Sequence, residues 1–135
     1  LSQFTWFGRG PFETYPDRKS AAPISIYSNP VEKNYVPYLV PQDHGNKTDV
    51  RWASLTNAAG VGFKIIPDEP LNVNATKFHN IERAEYAWQL QEGETIIINI
   101  DKSVSGVGGT PVNARPQYRT LPGEYNYSIR FVPIN

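Results

Sequence analysis

The sequence predicts an all-β protein, an antiparallel β-sandwich with one short helix. Two patterns carry this prediction. Pro and Gly recur every few residues through the first 45 positions, which excludes a helix of ordinary length there. Farther along the chain, short apolar segments are separated by polar or small turn residues, and several of them alternate large and polar side chains at the two-residue period of a strand.

The first half of the chain is predicted to contain strand ends, long loops and a hairpin. The Pro-rich first 45 residues supply the strand ends and loops. Residues 50–56 and 61–66 are rich in apolar and β-branched side chains, and the linker 57–60 has hairpin length, so we expect these two strands to pair antiparallel. Residues 71–76 alternate apolar and polar side chains and predict a further strand.

The second half is predicted to contain the helix and two more strands. Residues 80–87 form the helix, with Asn80 as a candidate N-cap and apolar residues at helical spacing behind it. Residues 95–100 are almost wholly apolar, as expected of a strand covered on both faces. Residues 124–131 alternate at period two. Their predicted buried face consists of Tyr125, Tyr127, Ile129 and Phe131.

The residue counts exclude several classes of protein. The 13 basic and 13 acidic side chains give zero formal charge, so we expect neither a nucleic-acid partner nor an anionic membrane surface. The longest apolar run, residues 96–98, is far shorter than a membrane span. The absence of Cys excludes disulfides, thiolate nucleophiles and Cys-ligated zinc. It suits a reducing cytosol and a bacterial periplasm equally, so the compartment stays open.

The chain has 135 residues, begins with Leu1 and contains no Met. Because translation starts at Met, we expect a processed product or an excised piece of a longer polypeptide. The length suits a single unit spanning residues 1–135, and three Trp, eight Tyr and six Phe supply bulky side chains for its core.

Motifs assign no catalytic residue and no metal site. Acidic residues in loop-like positions could act as a general acid and base if two of them lay about 5–5.5 Å or 6.5–9.5 Å apart, and could equally form turn caps or local ion pairs. These residues are Glu13, Asp17, Asp43, Asp49 and Asp101. The two histidines, His44 and His79, lack metal-ligand spacing, and no Gly-x-Ser-x-Gly elbow occurs.

Glycines and aromatic residues each allow a structural and a functional interpretation. Residues 106–109, Gly-Val-Gly-Gly, lack the spacing of a dinucleotide-binding loop, so they predict a positive-φ turn or a close backbone approach between loops.

Aromatic rings beside polar side chains could stack on sugars, or could pack in a core or against another domain. These rings are Trp6, Phe12, Tyr15, Tyr35, Tyr38 and Trp52.

Two blocks of the chain resemble a known family. Residues 6–18, WFGRGPFETYPDR, are similar to the W-x-G-x-G-P-x-E-x-Y-P-D-R block in the C-terminal domain of family 2 β-galactosidases. Residues 35–52 resemble that family's Y-x-x-P-Q-E-x-G-x-x-x-D-V-R-W block, in the same order and spacing. Weaker correspondences continue at residues 84–90, 99–109 and 122–125, so the resemblance covers essentially the whole chain.

The resemblance implies a place in a larger bacterial enzyme. The chain would be the C-terminal part of the terminal domain, half of a galactose mutarotase-like β-supersandwich. The family's catalytic glutamates, magnesium and sodium belong to a central (β/α)8 barrel, so the resemblance implies a catalytically silent segment that holds no cofactor. Its partners would be the catalytic barrel and the remaining domains of a parent that hydrolyses terminal β-D-galactosides with retention.

One departure from the family concerns the loop after residue 109. Many relatives continue with Asp-Asp-Ser-Trp, whose Trp is a platform for the second sugar, whereas this chain continues with Thr-Pro-Val-Asn. The platform cannot be transferred to this sequence. A carbohydrate-binding or interdomain site is instead expected from residues of the two blocks and this loop. These residues are Arg9, Glu13, Tyr15, Asp17, Arg18, Asp43, His44 and Thr110.

Three functions therefore remain in consideration. The leading hypothesis is a non-catalytic β-sandwich segment of a β-galactosidase that packs on the catalytic barrel and walls the substrate site. The alternatives are an independent carbohydrate-binding module, which would take β-galactoside sugars, and a self-sufficient hydrolase. Half a sandwich would leave sheet edges and apolar surface exposed, so self-association of the isolated chain is also expected.

Overall fold

The computed structural model describes residues 1–109 and 112–135, and its strands form two antiparallel sheets. The strands are β1 (Gln3–Arg9), β2 (Ile24–Pro30), β3 (Lys47–Val50), β4 (Trp52–Thr56), β5 (Gly62–Pro67), β6 (Leu71–Phe78), β7 (Glu92–Asp101) and β8 (Ile129–Ile134). The larger sheet has the order β2-β1-β4-β5-β8, and the smaller sheet has the order β3-β6-β7. The predicted all-β class is confirmed.

The core lies between the two sheets and is built on β1. Strict alternation along this strand sends Phe4, Trp6 and Gly8 inward, and the rings of Phe4 and Trp6 stack with centroids 5.1 Å apart. They pack against Val50 and Leu55, which come from opposite sheets. Burial of each such apolar side chain contributes about 1.5–3 kcal/mol, so this contact between sheets is the main source of stability.

The predicted hairpin is confirmed, but its first strand is shorter than expected. β4 pairs antiparallel with β5, and the Asn57 side chain accepts the N–H groups of Ala59 (2.9 Å) and Val61 (3.0 Å) in the turn. The predicted strand 50–56 is divided, because Val50 ends β3 in the smaller sheet and Trp52 begins β4 in the larger one.

The chain passes from one sheet to the other at Asp49 to Arg51. Asp49, inside β3 where the register with β6 shifts, has φ 55°, a left-handed conformation that interrupts the regular strand. The Arg51 N–H then donates to the Phe7 carbonyl at 2.7 Å, on the neighbouring strand of the larger sheet. The apolar and β-branched side chains of residues 50–56 predicted one strand because they run across this crossing point between the sheets.

The strand predictions at 71–76 and 95–100 are confirmed within β6 and β7. The expected coverage of both faces of 95–100 is wrong. In the described part of the chain β7 pairs only with β6, at the edge of the smaller sheet, and many of its side chains stay half-buried or exposed.

The predicted helix at 80–87 is wrong. Residues 81–83 form a turn, and a 3-10 helix at Ala87–Gln89 follows. The Asn80 side chain does not cap a helix; it donates to the Gln89 carbonyl (2.8 Å) and accepts the Gln91 N–H (2.9 Å). Ala84 is buried but Trp88 is 79% exposed, so the apolar residues at helical spacing do not form one buried face.

The prediction at 124–131 is wrong for most of its length. Strand structure begins only at Ile129, and Tyr125, Tyr127 and Phe131 are 44%, 40% and 59% exposed. β8 is an edge strand of the five-stranded sheet, and the three-stranded sheet opposite is narrower, so Phe131 meets Phe63 (centroids 6.0 Å apart) and is otherwise uncovered.

The Pro-rich first 45 residues hold two full strands, β1 and β2, as well as loops. Proline marks the strand boundaries, at Pro11 after β1 and at Pro23 and Pro30 around β2. A 3-10 helix at Val31–Asn34 is the helical structure of this region. Across the described residues, we find no helix long and apolar enough to cross a bilayer.

Candidate functional site

The predicted site residues lie where the segment after β1 crosses the polar side of β3 and β6. Thr14, fully buried, attaches this segment to β3. Its backbone N–H donates to the Asn46 carbonyl (2.7 Å), and its hydroxyl accepts the Thr48 N–H (2.9 Å). Thr14 was not identified from the sequence. Its place inside the first block, between Glu13 and Tyr15, is the feature that could have pointed to it.

Glu13 is the centre of a buried polar cluster. The side chain is 2% exposed and one carboxylate oxygen accepts hydrogen bonds from Arg18 and from the Tyr38 hydroxyl. The other oxygen accepts the Gly45 N–H at 2.8 Å. The cluster therefore joins both sequence blocks, 13–18 and 38–45, through one carboxylate.

Tyr15 and Asp43 form a second contact between the two blocks. The Tyr15 hydroxyl donates to Asp43 at 3.1 Å, and the Asn74 amide donates to the other oxygen of Asp43 at 3.1 Å. Burial, followed by the negative charges of Asp43 and Glu13, raises the pKa of Tyr15 far above its usual range. Tyr15 is therefore a neutral donor at any physiological pH.

Asp17 reaches a loop 90 residues away in the sequence. One carboxylate oxygen accepts the Val107 N–H (3.0 Å) and the other accepts the Gly108 N–H (2.7 Å). Gly108 has φ 64°, and a Cβ at Gly106 would lie 2.5 Å from the Asp17 carboxyl carbon. The expectation for residues 106–109, a positive-φ turn and a close approach between loops, is confirmed on both counts.

Arg9 forms an ion pair at the end of β1. Its guanidinium donates to Asp49 at 2.5 Å and to the Ala22 carbonyl at 3.0 Å, and Lys19 also contacts Asp49 at 3.1 Å. Burial alone would raise the pKa of Asp49, but the hydrogen bonds from Arg9 and Lys19 outweigh it and hold this pKa below its usual value. The ion pair stabilises the crossing point between the sheets.

His44 is a packed side chain. It is 3% exposed, its Nδ1 lies 3.0 Å from the Gln42 carbonyl, and its ring meets Tyr35 edge to face at a centroid distance of 5.1 Å. Thr110, the remaining predicted site residue, lies outside the described residues. Among the residues that are described, no three His, Cys, Asp or Glu side chains converge as a metal site.

Lys47 is a buried cation that sequence reasoning did not identify. It is 1% exposed, its ammonium lies 4.7 Å from the centroid of the Trp6 ring, and it donates to the Pro11 carbonyl at 3.3 Å. Burial lowers the pKa of Lys47 to about 8, although the charge of Glu13 acts in the opposite direction. In the sequence, a lysine at the start of a strand does not indicate that its side chain is buried.

An open cleft of about 490 Å³ lies beside Asp43 on the polar side of the smaller sheet. Its lining combines carboxylate, amide and guanidinium groups with an aromatic ring. These include Asp43, Phe78, Glu82, Arg83 and Asn99. Asp101, close enough for Asp43 to affect it, has a pKa raised by burial and then by that charge.

The acidic residues of the two blocks are engaged by hydrogen-bond donors of the chain itself. Glu13, Asp17 and Asp49 each accept at least two hydrogen bonds from N–H or O–H groups of this chain. Their oxygens are thus occupied by partners that join separate segments. Six of the predicted site residues take part in such contacts: Arg9, Glu13, Tyr15, Asp17, Arg18 and Asp43.

Comparison with known proteins gives the family. Residues 1–131 match the family model described as β-galactosidase small chain. The chain belongs to this family. Among curated relatives, it is 36% identical over 97% of its length to a β-galactosidase of Priestia megaterium, and 31% identical over 95% to one of Pseudoalteromonas haloplanktis. A β-galactosidase of Lactobacillus delbrueckii subsp. bulgaricus is 35% identical over 81% of the chain.

The β-galactosidase small chain match covers a minor part of each relative. The chain spans 13% of the Priestia megaterium protein, 12% of the Pseudoalteromonas haloplanktis protein and 11% of the Lactobacillus delbrueckii protein. The chain is therefore similar to one segment of these β-galactosidases.

Proposed function

We propose that the chain is a non-catalytic segment of a larger β-galactosidase, whose other domains hydrolyse terminal non-reducing β-D-galactosides with retention. The observation that carries this proposal is that 97%, 95% and 81% of the chain match three proteins named β-galactosidase, and that these matches cover only 11–13% of those proteins. In this role the segment packs against the catalytic barrel and forms one wall of the substrate site.

The contacts of the acidic residues support a non-catalytic role. A retaining glycosidase needs two carboxyl groups about 5–5.5 Å apart on opposite sides of a sugar. The best-buried candidate, Glu13, has both oxygens engaged by Arg18, Tyr38 and the Gly45 N–H within its own segment. A sugar would have to displace this cluster to reach the carboxylate.

The uncovered side of the sandwich supports packing against more protein. Phe131 and Tyr125 expose 59% and 44% of their surface beside edge strand β8. Exposed apolar surface next to a strand edge is typical of an interface. In the proposal the rest of a galactose mutarotase-like domain covers this side, and the magnesium and sodium of the parent stay with its catalytic barrel.

The experiment is a deletion with complementation. In a complete β-galactosidase that carries this chain, we expect removal of residues 1–135 to abolish hydrolysis of a nitrophenyl β-galactoside, and addition of the separately produced chain to restore part of it. A deleted enzyme that keeps its kcat and KM would overturn the structural role.

The Asp43 cleft favours a second candidate function, carbohydrate binding by the segment itself. Glu82, Asn99 and Arg83 offer planar polar groups for sugar hydroxyls, and Phe78 offers an apolar ring. Titration with galactose and lactose, read at residues around the cleft by NMR, tests it. Saturable shifts that Asn99→Ala removes would support binding, and unchanged spectra at tens of millimolar sugar would exclude it.

A further inference from the structure

The carboxylate of Asp17 clamps the glycine-rich loop 106–109. Its two oxygens accept the adjacent N–H groups of Val107 and Gly108, at 3.0 and 2.7 Å. Two consecutive backbone donors aimed at one carboxylate fix both the position and the orientation of that peptide, and hydrogen bonds to a charged group are about twice as strong as neutral ones. We call this arrangement the Asp17 clamp.

The sequence of the loop is adapted to the clamp. The three heavy atoms nearest to a Cβ built on Gly106 all belong to Asp17, at 2.5, 2.6 and 2.7 Å, so any side chain there would push the carboxylate away. Gly108 has φ 64°, a conformation that glycine adopts without strain. Two glycines are thus required for the loop to reach the carboxylate.

Asp17 is held in place from its own side. It lies in a tight turn in which the Tyr15 N–H donates to the Arg18 carbonyl (3.2 Å) and the Arg18 N–H donates to the Tyr15 carbonyl (2.9 Å). Arg18 in turn pairs with the buried Glu13. The carboxylate is therefore attached to the most extensively bonded part of the fold.

The loop has a second attachment on its far side. The Gly106 N–H donates to the Tyr118 carbonyl at 2.6 Å, and the Thr120 N–H donates to the Ser105 hydroxyl at 2.9 Å. Between the two attachments lies a hollow of about 350 Å³ whose lining includes Asp17, Gly108, Asn113 and Arg115. Amide and guanidinium groups of this kind hydrogen-bond sugar hydroxyls, and the clamp sets the shape of the hollow.

We propose that Asp17 is a positioning residue for the substrate wall: through the clamp it holds loop 106–109, and the hollow beside it, in the shape that contacts the galactoside. This inference rests on the proposed function of the segment as a wall. In this role Asp17 acts through the Val107 and Gly108 N–H groups, which engage both of its carboxylate oxygens.

The test combines hydrogen exchange with kinetics in the complete polypeptide that carries the chain. Asp17→Ala is expected to speed amide exchange at residues 107 and 108 by about tenfold or more, and to raise KM several-fold while kcat stays within about twofold. Asp17→Asn, which keeps one acceptor, should fall between the wild type and Asp17→Ala. The matched control is Asp68→Ala, because Asp68 also accepts one backbone N–H (Ser128, 3.1 Å) and lies in another turn.

A double-mutant cycle separates the clamp from general loss of structure. Gly106→Ala should speed exchange at 107 and 108 in the wild type, and should add little once Asp17 is Ala, since the atoms it would strike are gone. Additive effects of the two substitutions would overturn the clamp. Unchanged exchange in Asp17→Ala would also overturn the clamp. Faster exchange with an unchanged KM would confirm that the clamp holds the loop, and would overturn the proposal that this loop contacts the galactoside.

Discussion

The ammonium of Lys47 lies 4.7 Å from the centroid of the Trp6 ring, inside the core between the two sheets. The Pro11 carbonyl accepts a hydrogen bond from it at 3.3 Å, and the charge of Glu13 acts on it from farther away. A cation in this position loses most of its hydration, which lowers the pKa of Lys47 to about 8.

We expect Lys47→Met to stabilise the protein at pH 7. Methionine keeps the length and apolar stem of lysine, and the lost ring contact and hydrogen bond offset part of the gain, so the free energy of unfolding should rise by about 2 kcal/mol. Urea unfolding at pH 7 measures this difference. Lys64→Met is the matched control, because Lys64 lies 3.9 Å from the Trp52 ring on the outer, partly exposed side of the sheet. A less stable Lys47→Met protein would show that the buried ammonium is net stabilising.

The difference in free energy of unfolding between Lys47→Met and the wild type should depend on pH, because burial lowers the pKa of Lys47. Between the folded value of about 8 and the ordinary value of 10.5, the unfolded amine binds a proton that the folded amine does not, so the wild type gains stability as the pH rises. The advantage of Lys47→Met should therefore shrink across this window and be small above it. Comparing the two proteins cancels the opposite effect of Tyr15, whose raised pKa lowers the stability of both above about pH 10. A constant difference from pH 7 to 10.5 would contradict a desolvated Lys47.

Glu13→Ala should be strongly destabilising. It leaves the Tyr38 hydroxyl and the Gly45 N–H without their acceptor, and a buried donor without a partner costs about 1–3 kcal/mol, whereas Arg18 is half-exposed and stays solvated. Denaturant unfolding measures the loss. Glu69→Ala, which breaks the exposed pair with Lys102, is the control and should change stability by less than about 1 kcal/mol. Equal losses in the two variants would mean that Glu13 does not join the blocks energetically.

The isolated chain should self-associate through the uncovered side near β8. Phe131→Glu places a charge on that surface and should shift the chain toward a monomer in light scattering. Leu39→Glu is the matched control, since Leu39 is 93% exposed in a loop and the substitution changes the net charge equally. A wild-type chain that is already a monodisperse monomer would show that the exposed surface near β8 does not drive self-association.

The sequence predicted those parts of the fold in which local pattern and burial agree. Residues 71–76 form a strand as expected, because their apolar members Leu71, Val73 and Ala75 are buried and β6 pairs on both edges in the centre of the smaller sheet. Residues 124–131 alternate just as clearly, but only Ile129 onward pairs with β5, and the narrower opposite sheet leaves their large side chains exposed. Alternation does not reveal which surface will cover a strand.

The sequence singled out residues that form polar contacts between segments, but it did not predict which of them meet. Asp17 and residues 106–109 were each identified, yet their contact joins positions 90 residues apart and depends on how the loops pack. Lys47 and Thr14 were missed because their burial results from one segment lying across another, which no local pattern records. Long-range packing therefore determines what the site residues do.

In the proposed function, this chain is a segment of a β-galactosidase and has no hydrolytic activity of its own. The most direct measurement is the rate of nitrophenyl β-galactoside hydrolysis by the purified chain, beside the complete enzyme at equal molar concentration. We predict no release of nitrophenol by the chain above the buffer blank, at any pH from 5 to 9. Saturable turnover by the chain, lost on substitution of one of its carboxylates, would show that the segment is itself a hydrolase.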